Sequence, residues 1–139
     1  MNAAVRKSQR FARVRAVQHN LAAVAAHKAA RQVEALEASI GKLVSLRDGM
    51  RAAPGTVSGG SLAATGEIAM RLDQARATVA ASAANARVRA LDFQQARLAA
   101  RMKQESADRL TGKAIKAAEK QVERKLAARG LPRKRNQES

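Results

Sequence analysis

Two long stretches of the chain carry apolar residues at the alternating three- and four-residue spacing that is typical of coiled-coil helices. In the first stretch, this spacing predicts one helix over about residues 4–52. It contains two series: Val14, Val17, Leu21 and Val24, and then Ala29, Val33, Leu36, Ile40 and Leu43, with Arg47 and Met50 in phase. The series are out of step near His27, which we interpret as a local change in winding within the helix.

The second stretch has the same spacing and predicts a longer helix over about residues 66–129. Its series is Ile68, Leu72, Ala75, Val79, Ser82, Ala86, Phe93, Ala96, Ala100, Ala107 and Leu110. Ser61 and Thr65 are both candidate caps for the start of this helix. Gly130 and Pro132 mark its end, because glycine adopts a left-handed closing conformation and proline cannot continue a helix. We expect residues 130–139 to form a disordered basic tail.

The segment between the two stretches, Ala52 to Gly66, has no charged residue and no helical pattern. We predict a turn over residues 53–65, which makes residues 1–139 a single all-α domain. Its two long helices form an antiparallel coiled-coil hairpin, and the second helix is longer than the first. A symmetric fold about residue 57 places residue 2 opposite Gly112. We therefore expect α-helical residues 113–129 to lack a partner, with a bend or fraying at Gly112.

The composition favours thin helices in close contact over a layered fold. Alanine supplies 34 of the 139 residues, and the only aromatic residues are Phe11 and Phe93. Alanine is the best helix former but buries little apolar area. The chain has no cysteine, which excludes disulfides and thiolate chemistry. No uncharged apolar run reaches the roughly 18–20 residues that span a bilayer.

The sequence also lacks the usual elements of a catalytic, metal or cofactor site. His19 and His27 lie on an alanine-rich helix without a nearby carboxylate to orient either ring. Zinc-ligand spacing and Ser/His/Asp or Cys/His sets are absent. Gly55, Gly59 and Gly60 do not match a phosphate-binding loop. We therefore predict a protein that is not an enzyme and binds no cofactor or metal.

Positive charge is concentrated towards the two ends of the chain. Of the net charge of +16, residues 1–15 carry +5 and residues 113–139 carry +6. An Arg-rich transit peptide is one interpretation of the first cluster, but the helical pattern running through it favours mature structure. Four environments remain open for these cations: nucleic-acid phosphates, an acidic protein, solvent alone, or an anionic membrane with Ile115, Val122 and Leu126 as an apolar edge.

The chain resembles the flagellar export protein FliJ family and its YscO-type counterparts in injectisomes. The resemblance rests on four segments of the sequence: RFARVRAVQHNLAAVAAHKAA, LEASIGKLVSLRDGM, LDFQQARLAARMKQESADRL and KAAEKQVERKLAARG. It implies a cytoplasmic protein, peripheral at the inner face of the membrane, that takes part in type III protein export. In that role the coiled coil is a central stalk linking a hexameric export ATPase to the cytoplasmic domain of the export gate. The ATPase regulator and export chaperones are further implied partners.

The resemblance also implies two sets of partner-binding residues. The ATPase-facing set is basic: Arg6, Lys7, Arg10, Arg13, Lys116, Lys120 and Arg124. The gate-facing set lies towards the turn: Leu43, Arg47, Met50, Ile68 and Leu72. Aromatic residues common near the turn in this family are absent from the chain. A basic helical nucleic-acid-binding protein and a generic coiled-coil scaffold or adaptor are the alternative functions. Apart from Phe11, the basic ends lack stacking aromatic residues, and no DNA-binding motif is present, which disfavours nucleic acid.

Overall fold

A computed structural model describes residues 2–50 and 59–130 of the chain. Two helices account for almost all of these residues: α1 spans Ala3–Gly49 and α2 spans Gly59–Gly130. They pack antiparallel, which confirms the predicted all-α hairpin with a longer second helix. The predicted tail from residue 131 onwards and residues 51–58 of the turn region lie outside the described residues.

The chain divides into two compact units, each built from a part of both helices. Unit 1 pairs the described residues 2–21 with 98–130, and unit 2 pairs residues 22–50 with 59–97.

The ends of the helices differ in part from the predicted ends. Asn2 caps α1, since its Oδ1 accepts a hydrogen bond from the backbone N–H of Ala4 at 3.0 Å. Helix α2 begins at Gly59 and not near residue 66. Thr65 is therefore inside the helix, where its hydroxyl donates to the carbonyl of Ser61 at 2.8 Å. No described glycine has a positive φ, so the left-handed stop predicted at Gly130 is not found.

In unit 2, the contact between the helices combines buried alanines with half-buried large residues. On α1, Ala26 and Ala29 are buried, and the later series is half-buried as predicted: Val33, Leu36, Ile40, Leu43, Arg47 and Met50. On α2, the inward residues are Ala69, Leu72, Ala75, Val79, Ala83, Ala86 and Ala90. Ile68 is 52% exposed, and Ser82, Phe93 and Ala96 are exposed too, so these predicted seam residues face outward.

The earlier α1 series was assigned to the wrong face. Val14, Val17 and Leu21 in unit 1 are 54%, 57% and 66% exposed, and Val24 in unit 2 is 66% exposed. The inward residues of α1 in unit 1 are Val5, Ser8, Gln9, Ala12, Arg15, Ala16 and His19. They continue the frame of Val33 and Ile40 backwards in steps of seven, so the winding slip predicted near His27 is not needed.

The heptad phase of α1 explains why Val14, Val17 and Leu21 face outward. A heptad repeat keeps the same face inward only if its phase is maintained, and a phase change would locally distort the winding of α1. On α2 in unit 1, the facing residues are small or polar: Ala100, Gln104, Ala107, Thr111, Ala114 and Ala118. Leu110, which the sequence pattern placed in the seam, is 55% exposed. Alanines on both helices permit close contact without the larger valines and leucines.

Helix α2 has a partner beyond Gly112 as far as Ala118, so the predicted unpaired extension of residues 113–129 begins later than expected. Val5 is buried and lines a groove with Ile115, Ala118 and Val122 of α2. The helix runs through Gly112, which is half-buried, without interruption. Only from residue 119 onwards is every described residue of α2 exposed.

The symmetric fold about residue 57 failed because the helices do not begin pairing at the same distance from the turn. Residues 59–68 of α2 are helical but all exposed, and Ala69 is the first buried residue. On α1, the inward residues Leu43, Arg47 and Met50 are half-buried, so the contact continues to the last described residue before the turn region. Because of this asymmetry, the sequence midpoint between residues that face each other lies closer to α2 than the predicted residue 57.

Candidate functional site

The strongest concentration of positive charge lies within unit 1, at the start of α1 and the end of α2. We define the basic end as residues 2–15 and 113–130. It contains eleven basic and two acidic residues, a net charge of +9. The first acidic residue of α1 is Glu34, so local carboxylates are absent from the start of that helix. The basic end therefore carries most of its charge without compensation.

All seven residues of the predicted ATPase-facing set are exposed and belong to unit 1. Arg6, Arg10 and Arg13 line one shallow groove together with Gln9. Their spacing places them on successive turns of α1, so the three guanidinium groups form a row along the helix. No ion pair between described residues involves the basic end. These guanidinium groups therefore lack a carboxylate partner in the part of the chain that the structure describes.

Arg15 is held differently from the other cations at the start of α1. Its guanidinium carbon lies 4.8 Å from the centroid of the Phe11 ring, and its Nη1 donates to Oε1 of Gln18 at 3.0 Å. The residue is half-buried and lies on the inward face. This cation–π contact occupies the Arg15 side chain. Sequence reasoning had counted Arg15 with the other cations, and the aromatic residue one turn earlier was the available signal.

A groove between the helices lies at the basic end of unit 1. It has a volume of about 820 Å³ and is lined on the α1 side by Asn2, Val5 and Gln9. The α2 side contributes Ile115, Ala118, Glu119, Gln121, Val122, Glu123 and Lys125. Val5 is almost fully buried there, whereas Val122 is 55% exposed. The burial of Val5 packs the first turns of α1 against α2, so Arg6 and Arg10 are presented from a packed helix pair.

The predicted gate-facing residues do not share one exposed surface. Leu43, Arg47, Met50 and Leu72 are half-buried on the inward faces of unit 2, and only Ile68 is exposed. Arg47 is also engaged, since its Nε lies 3.3 Å from Oδ1 of Asp73. The structure therefore leaves Ile68 as the accessible member of this set.

Large apolar residues are exposed on both helices, and sequence reasoning missed those on α1. Val14, Val17 and Leu21 face away from the seam of unit 1. The signal that identifies them was present in the sequence: extending the frame of Val33 and Ile40 backwards leaves all three on the opposite face. Helix α2 in turn exposes Leu98 and Met102 in unit 1.

Among residues 2–50 and 59–130, no group of three or more His, Asp or Glu side chains is placed to hold a metal ion. Within the same residues, neither helix has a segment long and apolar enough to cross a membrane.

Comparison with known proteins gives no relative for this chain. A scan against protein-family models, a search of curated proteins and a search of solved structures each found no match.

Proposed function

We propose that the chain is a non-enzymatic coiled-coil stalk of a type III protein export apparatus, flagellar or injectisome. In this proposal the basic end inserts into the pore of a hexameric export ATPase, and the part of unit 2 near the turn engages the membrane export gate. The ATPase regulator and export chaperones are further partners. The protein is then cytoplasmic and peripheral at the inner face of the membrane.

The observation that supports this proposal is the row of unpaired cations on a packed helix pair. Arg6, Arg10 and Arg13 are exposed and have no described carboxylate partner. Exposed charges of one sign orient an approaching partner of opposite sign and speed association. Two packed helices also present these charges with less loss of conformational entropy than a disordered tail would. An acidic ring pore has the charge that such an end requires.

The gate contact is proposed on narrower grounds. Ile68 is exposed on the early part of α2, where residues 59–68 are helical and do not contribute to the buried contact of unit 2. The exposed side chain of Ile68 is available to a partner. The other four residues of the predicted gate-facing set stabilise the hairpin from inside.

The test is a binding and turnover assay with a purified hexameric export ATPase from the same organism. The variant carries Arg6→Glu, Arg10→Glu, Lys116→Glu and Lys120→Glu. We expect affinity for the ATPase to fall about 100-fold or more, because four attractive charges become repulsive. The matched control reverses four exposed cations of unit 2: Lys28, Arg31, Lys42 and Arg89. Both variants change the net charge equally, and the control should bind within about threefold of the original chain.

Two results would count against the stalk proposal. Unchanged ATPase binding by the first variant would remove the pore contact, and equal loss in both variants would indicate nonspecific attraction. Nucleic acid is tested in parallel with a DNA duplex at about 50 mM salt, where phosphate binding is strong and falls steeply as salt rises. Duplex binding without any ATPase binding would favour the nucleic-acid alternative.

A further inference from the structure

The outward face of α1 in unit 1 carries an apolar stripe that no described part of the unit covers. Val14, Val17 and Leu21 are three and four residues apart and more than half exposed. At about 100° per residue, this spacing aligns them on the side of the helix opposite Ala12 and His19, which face the seam. Three large aliphatic side chains therefore form one exposed stripe.

The same outward face carries the unpaired cations. Arg6, Lys7, Arg10 and Arg13 precede the stripe and are all exposed. The helical spacing places Arg10 in line with Val14 and Val17, while Arg13 and Lys7 lie on either side of that line. Arg15 is excluded from this group because it stacks on Phe11 towards the inward side. The face therefore combines an apolar stripe with positive charge and has no acidic residue.

The charge determines which partner fits this face. A second copy of the chain, with its net charge of +16, would bring like charges together. A protein partner would need an acidic groove shaped to the convex outer surface of a helix. An anionic lipid surface meets both conditions, because its headgroups carry negative charge and rearrange around an inserted side chain. Helices that lie in the membrane interface combine such an apolar face with flanking Lys and Arg residues.

We infer that the outward face of α1, residues 6–21, docks on an anionic lipid surface. Val14, Val17 and Leu21 insert among the headgroups, and Arg6, Lys7, Arg10 and Arg13 contact lipid phosphates. Docking involves surface insertion only, with the rest of α1 outside the bilayer. This inference does not depend on the stalk proposal. The ATPase contact uses the cations alone, whereas membrane docking also needs the aliphatic residues.

The test measures binding of the full chain to vesicles by co-sedimentation. One vesicle preparation is phosphatidylcholine with about one quarter phosphatidylglycerol, and the other is phosphatidylcholine alone, both at about 100 mM salt. The variant carries Val14→Gln, Val17→Gln and Leu21→Gln. Glutamine has a higher helix propensity than valine, so α1 is retained. The matched control carries Leu46→Gln, Leu62→Gln and Val88→Gln, three aliphatic residues of unit 2 with similar exposure.

We expect the original chain and the control to bind the anionic vesicles. Their affinity for neutral vesicles should be at least about tenfold weaker. Binding of the stripe variant to anionic vesicles should fall about tenfold, because it retains charge attraction but loses apolar insertion. A Val17→Cys chain labelled with a polarity-sensitive dye supplies an independent readout. The chain has no other cysteine, and emission should shift to shorter wavelength on anionic vesicles.

The inference is wrong if the stripe variant binds as well as the control, because attraction then rests on charge alone. It is also wrong if neutral and anionic vesicles bind equally, or if the dye at residue 17 does not shift. Failure to bind vesicles together with binding to an acidic amphipathic peptide would assign the face to a protein partner instead. ATPase binding by the stripe variant is measured alongside. Retained ATPase binding with lost vesicle binding supports membrane docking as a separate property.

Discussion

Arg87 on α2 donates two hydrogen bonds to Oε1 of Glu37 on α1, from Nε at 3.2 Å and from Nη2 at 3.0 Å. The two residues are 50 positions apart in the sequence and lie in unit 2. The same unit contains a second ion pair between the helices, Arg47 with Asp73, at 3.3 Å. The two pairs have midpoints at residues 62 and 60, so both support one antiparallel register.

Exchanging the charges of Glu37 and Arg87 should preserve this register. Each single change, Glu37→Arg or Arg87→Glu, brings like charges together and should lower the free energy of unfolding. The combined exchange should recover about 0.2–1 kcal/mol relative to the sum of the single changes, which is the usual range for exposed pairs. Urea unfolding of the four proteins gives the coupling energy. A coupling energy of zero would mean that the pair does not contribute to the register in solution.

Replacing Val5 should destabilise unit 1, whereas replacing Val14 should not. Val5 is 4% exposed and packs beside Ile115 and Val122, but Val14 is 54% exposed. We expect Val5→Ala to cost about 1–2 kcal/mol of unfolding free energy through lost burial of two methyl groups. Val14→Ala should change it by less than about 0.5 kcal/mol. A larger loss of stability from Val14→Ala than from Val5→Ala in thermal or urea unfolding would favour the seam predicted from the apolar series.

Enlarging Ala83 should disrupt the contact between the helices of unit 2. The side chain is fully buried, so Ala83→Leu must force the helices apart or displace neighbouring side chains. We expect a loss of about 1–3 kcal/mol of unfolding free energy. Ala81→Leu is the matched control, because Ala81 is exposed on the same helix and leucine is also a good helix former. Equal stability of the two variants in urea would show that the seam has room for larger residues.

Replacing Gly112 by alanine should stabilise unit 1. A Cβ at Gly112 meets no heavy atom within 4 Å, and the residue lies within the uninterrupted helix α2. We expect Gly112→Ala to add about 0.4–1 kcal/mol to the unfolding free energy, because glycine has more freedom to lose on folding. Gly59→Ala, at the first residue of α2, should gain less. Destabilisation by Gly112→Ala would indicate that α2 bends there in solution.

The parts of the fold that could be predicted are those where large apolar residues occupy the seam. Val33, Leu36, Ile40 and Leu43 made the later frame of α1 unambiguous. In the earlier part, most seam positions after Val5 hold alanine or polar residues, and Val14 and Val17 lie outside the seam. Residue size is a poor guide where close helix contact favours small side chains. The phase of the repeat was the more reliable signal.

The exposed cations of the candidate site could be predicted from the sequence, whereas individual side-chain contacts and the gate-facing surface could not. Exposure of Arg6, Arg10 and Arg13 followed from their position at a charged helix end without acidic neighbours. The spacing of Phe11 and Arg15 by about one turn permits their stacking, but the contact itself also depends on side-chain conformation. Leu43 and Leu72 were assigned to a partner surface because the family resemblance places the gate contact near the turn, but their apolar character places them inside the hairpin. The pairing register of α1 with α2 could be assigned only once the buried residues of both helices were known.

The unbroken repeat of α1 has a consequence for how proteins of this type could change in length. Its inward positions recur every seven residues from Val5 through Ala12, Ala26 and Ile40 to Arg47. Removing or adding seven residues in each helix at the same level would return every flanking side chain to its original face. A change that is not a multiple of seven would shift the apolar stripe and the cation row relative to the seam. Insertions and deletions among relatives of this chain should therefore occur as paired heptads. The heptad would then be the unit by which such hairpins lengthen or shorten in evolution.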